Sequence, residues 1–367
     1  MQNEVQILPA CPRCPQLKPV LVDFITASIE LAQFSDDDQR RLLQYGERIV
    51  KFDAKTGAIS WDCSCWDSMR SDSHQVSVRV SVDRLMMKGS PARCIGDGDA
   101  AFGSGAARAL DLVGCVQRMA NFVCNKLEVP VPDVRSWKVL RTDTTAMLLL
   151  PSLADVRQAL AILRNCEGGR YRPDQRAGDT VYWSVKSRLK KAKAYAKGPH
   201  LRFSMKQRNY EGVKYTEQQL DAVERCLRLE LTHGAQFWRE RAGGPWYEVT
   251  AEQLRVWHAE YFGQMLGEAG VTDMNIEERV RAVAPSEGQA KAAVGTWAMI
   301  QAYGWEKARD MSSRPTWYRN LKVLRAAGLS DADLSAGNVV AIRRPLIECQ
   351  QVNTWDELMA AVYQRAA

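Results

Sequence analysis

The chain has 367 residues, of which 46% are apolar and 25% charged, and these proportions exclude a fibrous or wholly disordered protein. At roughly 150 residues per domain, the length predicts two or three domains. The formal net charge is +7, from 50 Lys and Arg against 43 Asp and Glu. An excess of this size is informative only through its position in the chain.

Residues 1–60 predict an accessory region with one short helix. In SDDDQRRLL, Ser35 is a good N-cap and three aspartates follow it. The N-terminus lacks the basic and apolar segments of a signal peptide, and no apolar run reaches membrane-spanning length. We therefore expect a cytosolic protein without a membrane partner.

Ten cysteines raise the question of a metal site. Cys11 and Cys14 have the spacing of zinc ligands, whereas Cys63 and Cys65 are one residue too close for the usual knuckle. In a cytosolic protein, the simpler interpretation is reduced thiols that are buried as small hydrophobic side chains. Structural zinc is kept as the minor alternative.

Residues 61–240 predict an α+β domain built on a sheet. The segment that begins at His74, HQVSVRVSV, alternates polar and apolar residues as a half-buried strand does, with Val76, Val78, Val80 and Val82 on one face. A glycine-rich loop and a helix over 106–127 follow. Further strands are predicted around RTDTT, TVYW, AYAK and RLEL, and Ser152 caps a second helix.

The densest positive charge lies between Lys186 and Lys214, where ten Lys or Arg accompany one acid. Polyphosphates are common partners of such a segment, because each neutralised phosphate releases condensed counterions. The alternative is a solvated surface. If the partner is nucleic acid, the candidate contacts are Arg188, Lys190, Lys191 and Arg202, with Arg141 from a preceding strand.

Residues 241–367 predict a helical domain. EGQAKAAVGTWAMIQAY, over 287–303, is typical of one helix, and a second begins after Ser313 with Pro315 in its first turn. With Gly304 at the corner, the pair resembles a helix-turn-helix. The candidate DNA contacts near the start of the second helix are Arg314, Thr316, Tyr318 and Arg319. The alternative is a helix pair that binds nothing.

Three predicted strands each gather polar residues on a single face, because side chains alternate along a strand. The sets are Arg141, Asp143 and Thr145; Arg228, Glu230 and Thr232; and Lys191, Lys193, Tyr195 and Lys197. A tyrosine among lysines is expected to favour its phenolate, which is a nucleophile. Asp143 and Glu230 could hold a divalent cation that polarises a phosphoryl oxygen.

These parts predict a DNA-nicking transesterase, and each part has a simpler alternative. Tyr195 could pack in the interior, and the two carboxylates could pair with Arg141 and Arg228. The lysines could be solvated.

The order of short motifs from about residue 71 to about residue 334 resembles the replication initiators that filamentous phages encode in gene II and its in-frame gene X. The motifs are GSPAR at 89–93, AFGS at 101–104, NF at 121–122, RTDTT at 141–145, ILRN at 162–165, TVYW at 180–183, VKSR at 185–188, AYAK at 194–197, RLEL at 228–231 and SRPTWYRN at 313–320. Each string is weak by itself. Their order over more than two thirds of the chain is specific.

The resemblance implies a rolling-circle initiator with an antiparallel-sheet nuclease domain of the Rep type. It implies a nick in the plus strand of the replicative-form duplex, a tyrosine joined to the 5′ phosphate, and later reclosure of the displaced single strand. Tyr195 carries over as the nucleophile in its Ala-Tyr-x-Lys context, with Lys193 and Lys197 beside it. Asp143 and Glu230 carry over as ligands of Mg²⁺ or Mn²⁺.

The same resemblance implies work in the host cytoplasm with host helicase and polymerase, and it leaves open an oligomer at the origin. The chain departs from the family in its glycine loop, where GDGDAAFG replaces a Gly-His-Asn pattern. Asp97 or Asp99 is therefore a candidate ligand, and His74 is the best remaining imidazole. The competing function is a non-catalytic DNA-binding regulator of phage or plasmid replication, which would not need Tyr195.

Overall fold

The computed structural model describes residues 21–70, 75–94, 99–164, 178–207, 210, 212–268, 276–329 and 349–364. The chain divides into two compact units. One unit comprises 16–264 together with 349–367, and the other comprises 1–15 together with 265–348. The residues after 348 therefore belong with the first unit, whereas the sequence predicted one helical domain over 241–367.

The first unit is α+β, as predicted, and its described residues form a sheet of nine strands in which every pair is antiparallel. The strands in chain order are β1 (Leu21–Glu30), β2 (Arg48–Phe52), β3 (Ile59–Ser64), β4 (Asp67–Arg70), β5 (Gln75–Val80), β6 (Arg84–Gly89), β7 (Lys138–Leu149), β8 (Thr180–Trp183), β9 (Lys190–Ala196), β10 (Cys226–His233) and β11 (Gln350–Gln351). The order across the sheet is β4-β5-β6-β1-β7-β10-β9-β8, with β11 beside β7. Strands β2 and β3 form a separate two-stranded sheet.

Helices connect these strands. In chain order they are α1 (Asp36–Leu43), α2 (Pro91–Cys94), α3 (Gly105–Arg108), α4 (Leu112–Lys126), α5 (Leu153–Leu163), α6 (Lys197–Met205), α7 (Glu217–Glu224), α8 (Ala235–Glu240), α9 (Ala251–Glu268), α10 (Ile276–Val283), α11 (Glu287–Tyr303), α12 (Trp305–Asp310), α13 (Arg314–Ala326) and α14 (Trp355–Met359). Ser35 and Ser152 cap α1 and α5 as predicted, because each side chain accepts a backbone N–H of the first turn. No helix in these ranges is long and apolar enough to cross a membrane.

One face of the sheet is apolar and is covered by α4. Ile25, Val78 and Met87 of the sheet pack with Val116 and Met119 of α4 in one buried cluster. Each such side chain stabilises the fold by roughly 1.5–3 kcal/mol when it is fully buried. Because strand residues alternate, the residues between these positions point to the opposite face, which carries polar residues of β7, β9 and β10 beside an apolar cluster that includes Met147 and Leu149.

Strand β5 confirms the predicted valine alternation only as far as Val80. Val76, Val78 and Val80 are buried, but Val82 lies beyond the end of the strand and is 77% exposed. A turn leads from Val80 into β6, so the two-residue period ends there.

The second unit has its own core. Trp317 and Leu321 of α13 pack with Ala293 and Ile300 of α11. Asn320 is buried between the two helices, where its Nδ2 donates to Thr296 Oγ1 at 2.7 Å. The sequence predicted α11 with its observed bounds. A six-residue helix, α12, and a three-residue turn then lead into α13.

Cysteines of the described residues are free thiols. Burial raises the pKa of Cys94, Cys124 and Cys226 to about 12, so these thiols are unreactive hydrophobic side chains, as expected. Cys63 and Cys65 are partly exposed. Cys11 and Cys14 lie outside the described residues.

Candidate active site

The polar residues of β7, β9 and β10 meet on one face of the sheet. Arg228 lies opposite Tyr195 in the register of β10 and β9, and Glu230 lies opposite Lys193. Asp143 of β7 lies opposite Thr232 of β10, so it lies on the same face. Cross-strand partners point to the same side of a sheet, so the three predicted sets form one cluster.

Each carboxylate of this cluster is paired with a cation. The salt bridges are Arg141 Nη2 to Asp143 Oδ2 at 2.6 Å, Lys193 Nζ to Glu230 Oε1 at 2.8 Å, and Arg228 Nη2 to Asp23 Oδ1 at 3.0 Å. The pairing of Asp143 with Arg141 is the one that the simpler sequence interpretation proposed. Glu230 and Arg228 take different partners from those that it proposed.

Asp23 is a member of the cluster that sequence reasoning missed. It lies on β1, where the register against β7 shifts between Val22 and Phe24. Such a bulge turns a side chain out of the regular alternation, and the residue pattern does not predict it. Although burial opposes ionisation, Arg228 and neighbouring lysines hold the pKa of Asp23 below its usual value.

Arg228 is fully buried and fixed by several acceptors. Its Nη1 donates to the carbonyl oxygens of Ala100 and Ala101 at 2.9 and 3.1 Å, and its Nη2 donates to Thr145 Oγ1 at 3.2 Å. Burial disfavours the cation, but the carboxylate of Asp23 raises the pKa of Arg228 above its usual value. The guanidinium is therefore a permanent positive charge beside Tyr195.

Tyr195 is 5% exposed, and its surroundings reverse the predicted titration. Burial raises the pKa of Tyr195 well above its usual value, and the acids of the cluster add to the rise, whereas Arg228 opposes it. The expectation of a resting phenolate is therefore wrong, because desolvation outweighs the positive field. A nucleophilic Tyr195 needs a proton acceptor.

Two neighbours pack against the Tyr195 ring. Lys193 Nζ lies 5.1 Å from the ring centroid, and the imidazole of His200 lies 5.0 Å from it at a tilt of 56°. Partial burial and the surrounding cations lower the pKa of His200 to about 4, so the imidazole is neutral near pH 7. The contact with His200 was not predicted.

Two groups of the cluster titrate near neutral pH. Burial and the charge of Asp143 raise the pKa of Glu230 to about 7, against the opposing charge of Lys193. Burial and the charge of Arg228 lower the pKa of Lys197 to about 7. Groups with pKa values displaced toward 7 are suited to proton transfer.

Lys197 reaches the cluster by a different route from the predicted one. β9 ends at Ala196 and α6 begins at Lys197, so Lys197 does not continue the strand face of Lys191, Lys193 and Tyr195. Its side chain is 3% exposed, and its Nζ donates to the Ala100 carbonyl oxygen at 2.7 Å. Lys197 and Arg228 therefore converge on the same carbonyl group.

The loop that carries this carbonyl is organised by Asp99. Oδ1 of Asp99 accepts from the Ala101 N–H at 2.8 Å and from the Tyr215 hydroxyl at 2.9 Å. Oδ2 accepts from the Phe102 N–H at 3.2 Å and from Trp355 Nε1 at 3.0 Å. Both oxygens are thus engaged in holding the loop, which disfavours the predicted role of Asp99 as a metal ligand.

The donor Trp355 comes from the C-terminal end of the chain. The two residues of β11 pair with Leu148 and Leu149 of β7, on the side of β1 and beyond its end, and α14 follows β11. The Trp355 ring lies 5.2 Å from Phe102 and 5.5 Å from Tyr215, measured between centroids. We call residues 349–364 the C-terminal strap. A strand of two residues, about 200 positions from its partner, is too short for its residue pattern to predict it.

The oxygen-rich cluster fits a hard divalent cation in its donor chemistry. Asp23, Asp143 and Glu230 are electrostatically coupled, and the Oε2 atom of Glu230 is buried without a hydrogen-bond partner. Within the described ranges, however, no three Asp, Glu, His or Cys side chains are arranged as a ligand group. Of the other predicted ligands, His74 and the alternative Asp97 lie outside those ranges.

The basic segment does not form one surface. Arg188 and Lys191 are exposed, and Lys191 lies on the face of Tyr195. Lys190 points to the opposite face, where its Nζ lies 5.1 Å from the centroid of the Phe237 ring. Arg202 pairs with Glu224 at 2.7 Å. Alternation along β9 therefore divides the predicted DNA contacts between the two faces.

The predicted contacts of α13 lie in the second unit. Arg314, Tyr318 and Arg319 are exposed, Tyr318 to 55%, whereas Thr316 is half-buried and accepts from the Ser313 hydroxyl at 2.9 Å. The same exposed face also carries Lys322, which was not predicted. The helix contains no acidic residue.

Comparison with known proteins identifies the family. The N-terminal region of the phage replication-associated proteins of gene II matches residues 23–252, which is more than half of the chain and includes Tyr195, Asp143 and Glu230. No curated protein matches the chain. The predicted resemblance is confirmed, and it assigns the protein to phage DNA replication. The chain therefore belongs to the family of replication initiators that filamentous phages encode in gene II.

Proposed function

We propose that this protein starts rolling-circle replication by nicking the plus strand of replicative-form phage DNA with Tyr195, and that it later recloses the displaced strand. The observation that carries the proposal is the shared sheet face of Tyr195, Arg228 and Glu230. It combines a hydroxyl nucleophile, a fixed positive charge and a carboxyl group that titrates near pH 7. A transesterification at phosphorus needs these three functions.

In the nicking step, the Tyr195 oxygen attacks the phosphorus and its proton passes to the ionised Glu230, directly or through one water molecule. The bond from phosphorus to the 3′ oxygen breaks as the bond to tyrosine forms. The leaving 3′ oxygen takes a proton from the Lys197 ammonium, which gives a free 3′-OH for host polymerase. Reclosure is the reverse reaction with a new 3′-OH, and it needs no ATP because the phosphotyrosine conserves the phosphodiester energy.

Negative charge increases on the non-bridging oxygens of the phosphate during the attack. Arg228 is held by Asp23 and by two loop carbonyls, so its guanidinium need not reorganise to stabilise that charge. Lys193 lies between Glu230 and the Tyr195 ring and adds a second cation. These contacts support roles for Arg228 and Lys193 in holding the phosphate.

The cofactor in this proposal is Mg²⁺ or Mn²⁺. Asp143 and Asp23 are residues that would hold it, and Glu230, the other predicted ligand, would bind it only in its ionised form, before it takes the proton of Tyr195. A bound cation supplies polarisation of the phosphoryl oxygen. The unpartnered Oε2 of Glu230 is the feature that favours this assignment.

The DNA contacts, partners and location belong to the same proposal. Exposed cations on the sheet face and on α13 would bind the duplex and select the origin, whereas host helicase and polymerase would act on the nicked product. The reaction would take place in the host cytoplasm. The stoichiometry of the protein–DNA complex would show whether several protomers assemble at the origin.

The test uses supercoiled phage DNA, Mg²⁺ or Mn²⁺, and the purified protein. We expect relaxed circles with protein attached to the 5′ end, and no relaxed product with Tyr195→Phe. Tyr182→Phe is the matched control, because Tyr182 lies opposite Lys193 in the register of β8 and is 41% exposed. Nicking by Tyr195→Phe at the wild-type rate would contradict the proposal.

The burial of Tyr195 is the observation that favours the alternative, a non-catalytic regulator in which this ring only packs. A regulator would bind origin DNA with steep salt dependence but leave supercoiled DNA intact. Wild-type protein that binds and never nicks, with either metal ion, would therefore favour the regulator.

A further inference from the structure

A second group of aromatic and basic side chains lies on the polar sheet face, away from Tyr195. Lys88 Nζ lies 4.0 Å from the centroid of the Trp66 ring, and the Arg79 guanidinium carbon lies 5.6 Å from it. Trp66 directly precedes β4, in which Asp67 lies opposite Val78 of β5. Continuing that register places Trp66 opposite Arg79. We call Trp66, Arg79 and Lys88 the Trp66 group.

The strand register places the Trp66 group on the same face as the candidate active site. Thr26 of β1 lies opposite Lys88 of β6 on one side and opposite Arg141 of β7 on the other. Partners across a sheet share a face, and Arg141 pairs with Asp143 of the cluster. Arg141, Thr26 and Lys88 therefore lie on the same sheet face as Tyr195, while α4 covers the opposite face.

The charge of the Trp66 group is not neutralised within the described residues. Neither Lys88 nor Arg79 forms a salt bridge there, and the Nε atom of Arg79 is buried without a hydrogen-bond partner. Around the active site, by contrast, each carboxylate holds a cation. Among the described residues, the Trp66 group thus offers two cations without a salt bridge and an indole ring, a combination that complements phosphates and unstacked bases.

The distance between the two groups suits a short single strand. Lys88 is four strand-to-strand steps from Tyr195, or about 19 Å at roughly 4.8 Å a step. In the strand register, Tyr195 is level with Met147 of β7, and Lys88 is level with Arg141. These two positions are six residues apart along β7, which adds about 20 Å in the strand direction. The diagonal of about 28 Å corresponds to at most about eight nucleotides, because the rise of about 3.4 Å per nucleotide in a duplex is smaller than that of an unstacked strand.

We infer that the Trp66 group is a base-stacking subsite for single-stranded DNA that crosses the sheet face from Tyr195. A base stacks on the indole of Trp66, and Lys88 and Arg79 contact the adjacent phosphates. Bases inside a duplex cannot reach the ring, so the ligand is single-stranded. The direction of the path from the nick rests on the proposed function of Tyr195, whereas the subsite itself does not.

The test measures binding of fluorescent oligonucleotides by anisotropy, with every variant made in a Tyr195→Phe background so that no covalent product forms. Trp66→Ala should weaken binding of a twelve-nucleotide single strand by about tenfold, and Trp66→Phe should retain most of the affinity. Lys88→Ala should lower the salt dependence by about 0.7 in the logarithmic slope. Lys126→Ala on α4, which covers the other face, is the charge-matched control and should change neither quantity.

Equal losses for Trp66→Ala and Trp66→Phe would overturn the inference, because stacking would then not be involved. So would equal losses for the single strand and for a duplex of the same length. Thermal unfolding of each variant separates loss of the fold from loss of the subsite. A wild-type protein that fails to nick would refute the proposed function and leave this binding result intact.

Discussion

Two basic regions of this protein differ in how their charges are held. On the sheet face at Tyr195, Arg228 and Lys193 are fixed by carboxylates at 3.0 and 2.8 Å. On α13, Arg319 and Lys322 are exposed in a helix without an acidic residue. Fixed, desolvated charges suit a reaction that develops charge at one atom, whereas exposed charges suit salt-sensitive contacts with a phosphate backbone. Charge density in the sequence cannot separate the two.

The largest effect is expected when the fixed cation is removed. Arg228→Met leaves Asp23 and two loop carbonyls without their donor, so we expect loss of detectable nicking and destabilisation by about 3–5 kcal/mol in urea unfolding. Arg225→Met is the control, because Arg225 forms an exposed pair with Asp221 and should cost less than about 1 kcal/mol. Equal stability of the two variants would show that the buried cation is not held as described.

A smaller loss is expected at the proposed proton acceptor. Glu230→Gln keeps the shape of the side chain but cannot accept a proton, so the single-turnover nicking rate should fall by about 10²- to 10³-fold while DNA binding persists. Glu252→Gln, in the first turn of α9, is the matched control, because the Glu252 side chain is 74% exposed. A change of less than about fivefold in the rate would exclude Glu230 as the acceptor.

The same variant tests the pH dependence of stability. The pKa of Glu230 is raised from 4.5 to about 7 in the folded protein, so the folded state binds more protons than the unfolded state between these values. Its contribution to stability is therefore complete below about pH 4.5 and is lost as the pH rises to about 7, by up to about 3 kcal/mol. Relative to Glu230→Gln, wild-type protein should lose stability over this interval. A constant difference would contradict the raised pKa.

A still smaller effect is expected in the C-terminal strap. Trp355→Phe removes the Nε1 hydrogen bond to Asp99 but retains an aromatic ring against Phe102 and Tyr215. Loss of one hydrogen bond to a carboxylate corresponds to about 1.5 kcal/mol, so we expect about tenfold slower nicking with unchanged DNA affinity. Unchanged nicking would show that the strap does not position the loop that holds Arg228 and Lys197.

The smallest effect is expected on α13, where one exposed cation is one of several. Lys322→Ala should lower the logarithmic salt dependence of duplex binding by about 0.9 and leave the cleavage of a short single-stranded origin fragment unchanged. Glu306→Gln on α12 alters the charge of an exposed residue in the same unit and is the control for the binding assay. A loss of cleavage with Lys322→Ala would contradict the proposal that the cations of α13 bind DNA and those at Tyr195 act in the reaction.

The sequence predicted the strand faces well because a two-residue period needs only local information. It placed Arg141 with Asp143 and Arg228 with Glu230, and the register then brought these pairs to Tyr195. It failed where the outcome depends on burial. The phenol of Tyr195 is desolvated beyond what its lysine neighbours indicate, so its pKa rises where the lysines predicted a fall.

Other features depend on where elements end or return. Lys197 begins a helix instead of extending β9, and Lys190 falls on the opposite face from Lys191. Asp23 enters the cluster through a bulge, and Trp355 reaches it through a strand of two residues. Of these positions, only that of Lys190 follows from the two-residue period of a strand. The others have no periodic signal, because the end of a strand, a bulge and a two-residue strand depend on contacts between segments far apart in the chain.

The most direct test of the central claim is to identify the amino acid that becomes joined to DNA. After reaction with a labelled origin strand and digestion with nuclease and trypsin, mass spectrometry should find a nucleotide on the peptide AYAK, residues 194–197, linked through Tyr195. Attachment at another residue, such as Tyr182, or cleavage without any covalent product would contradict the account.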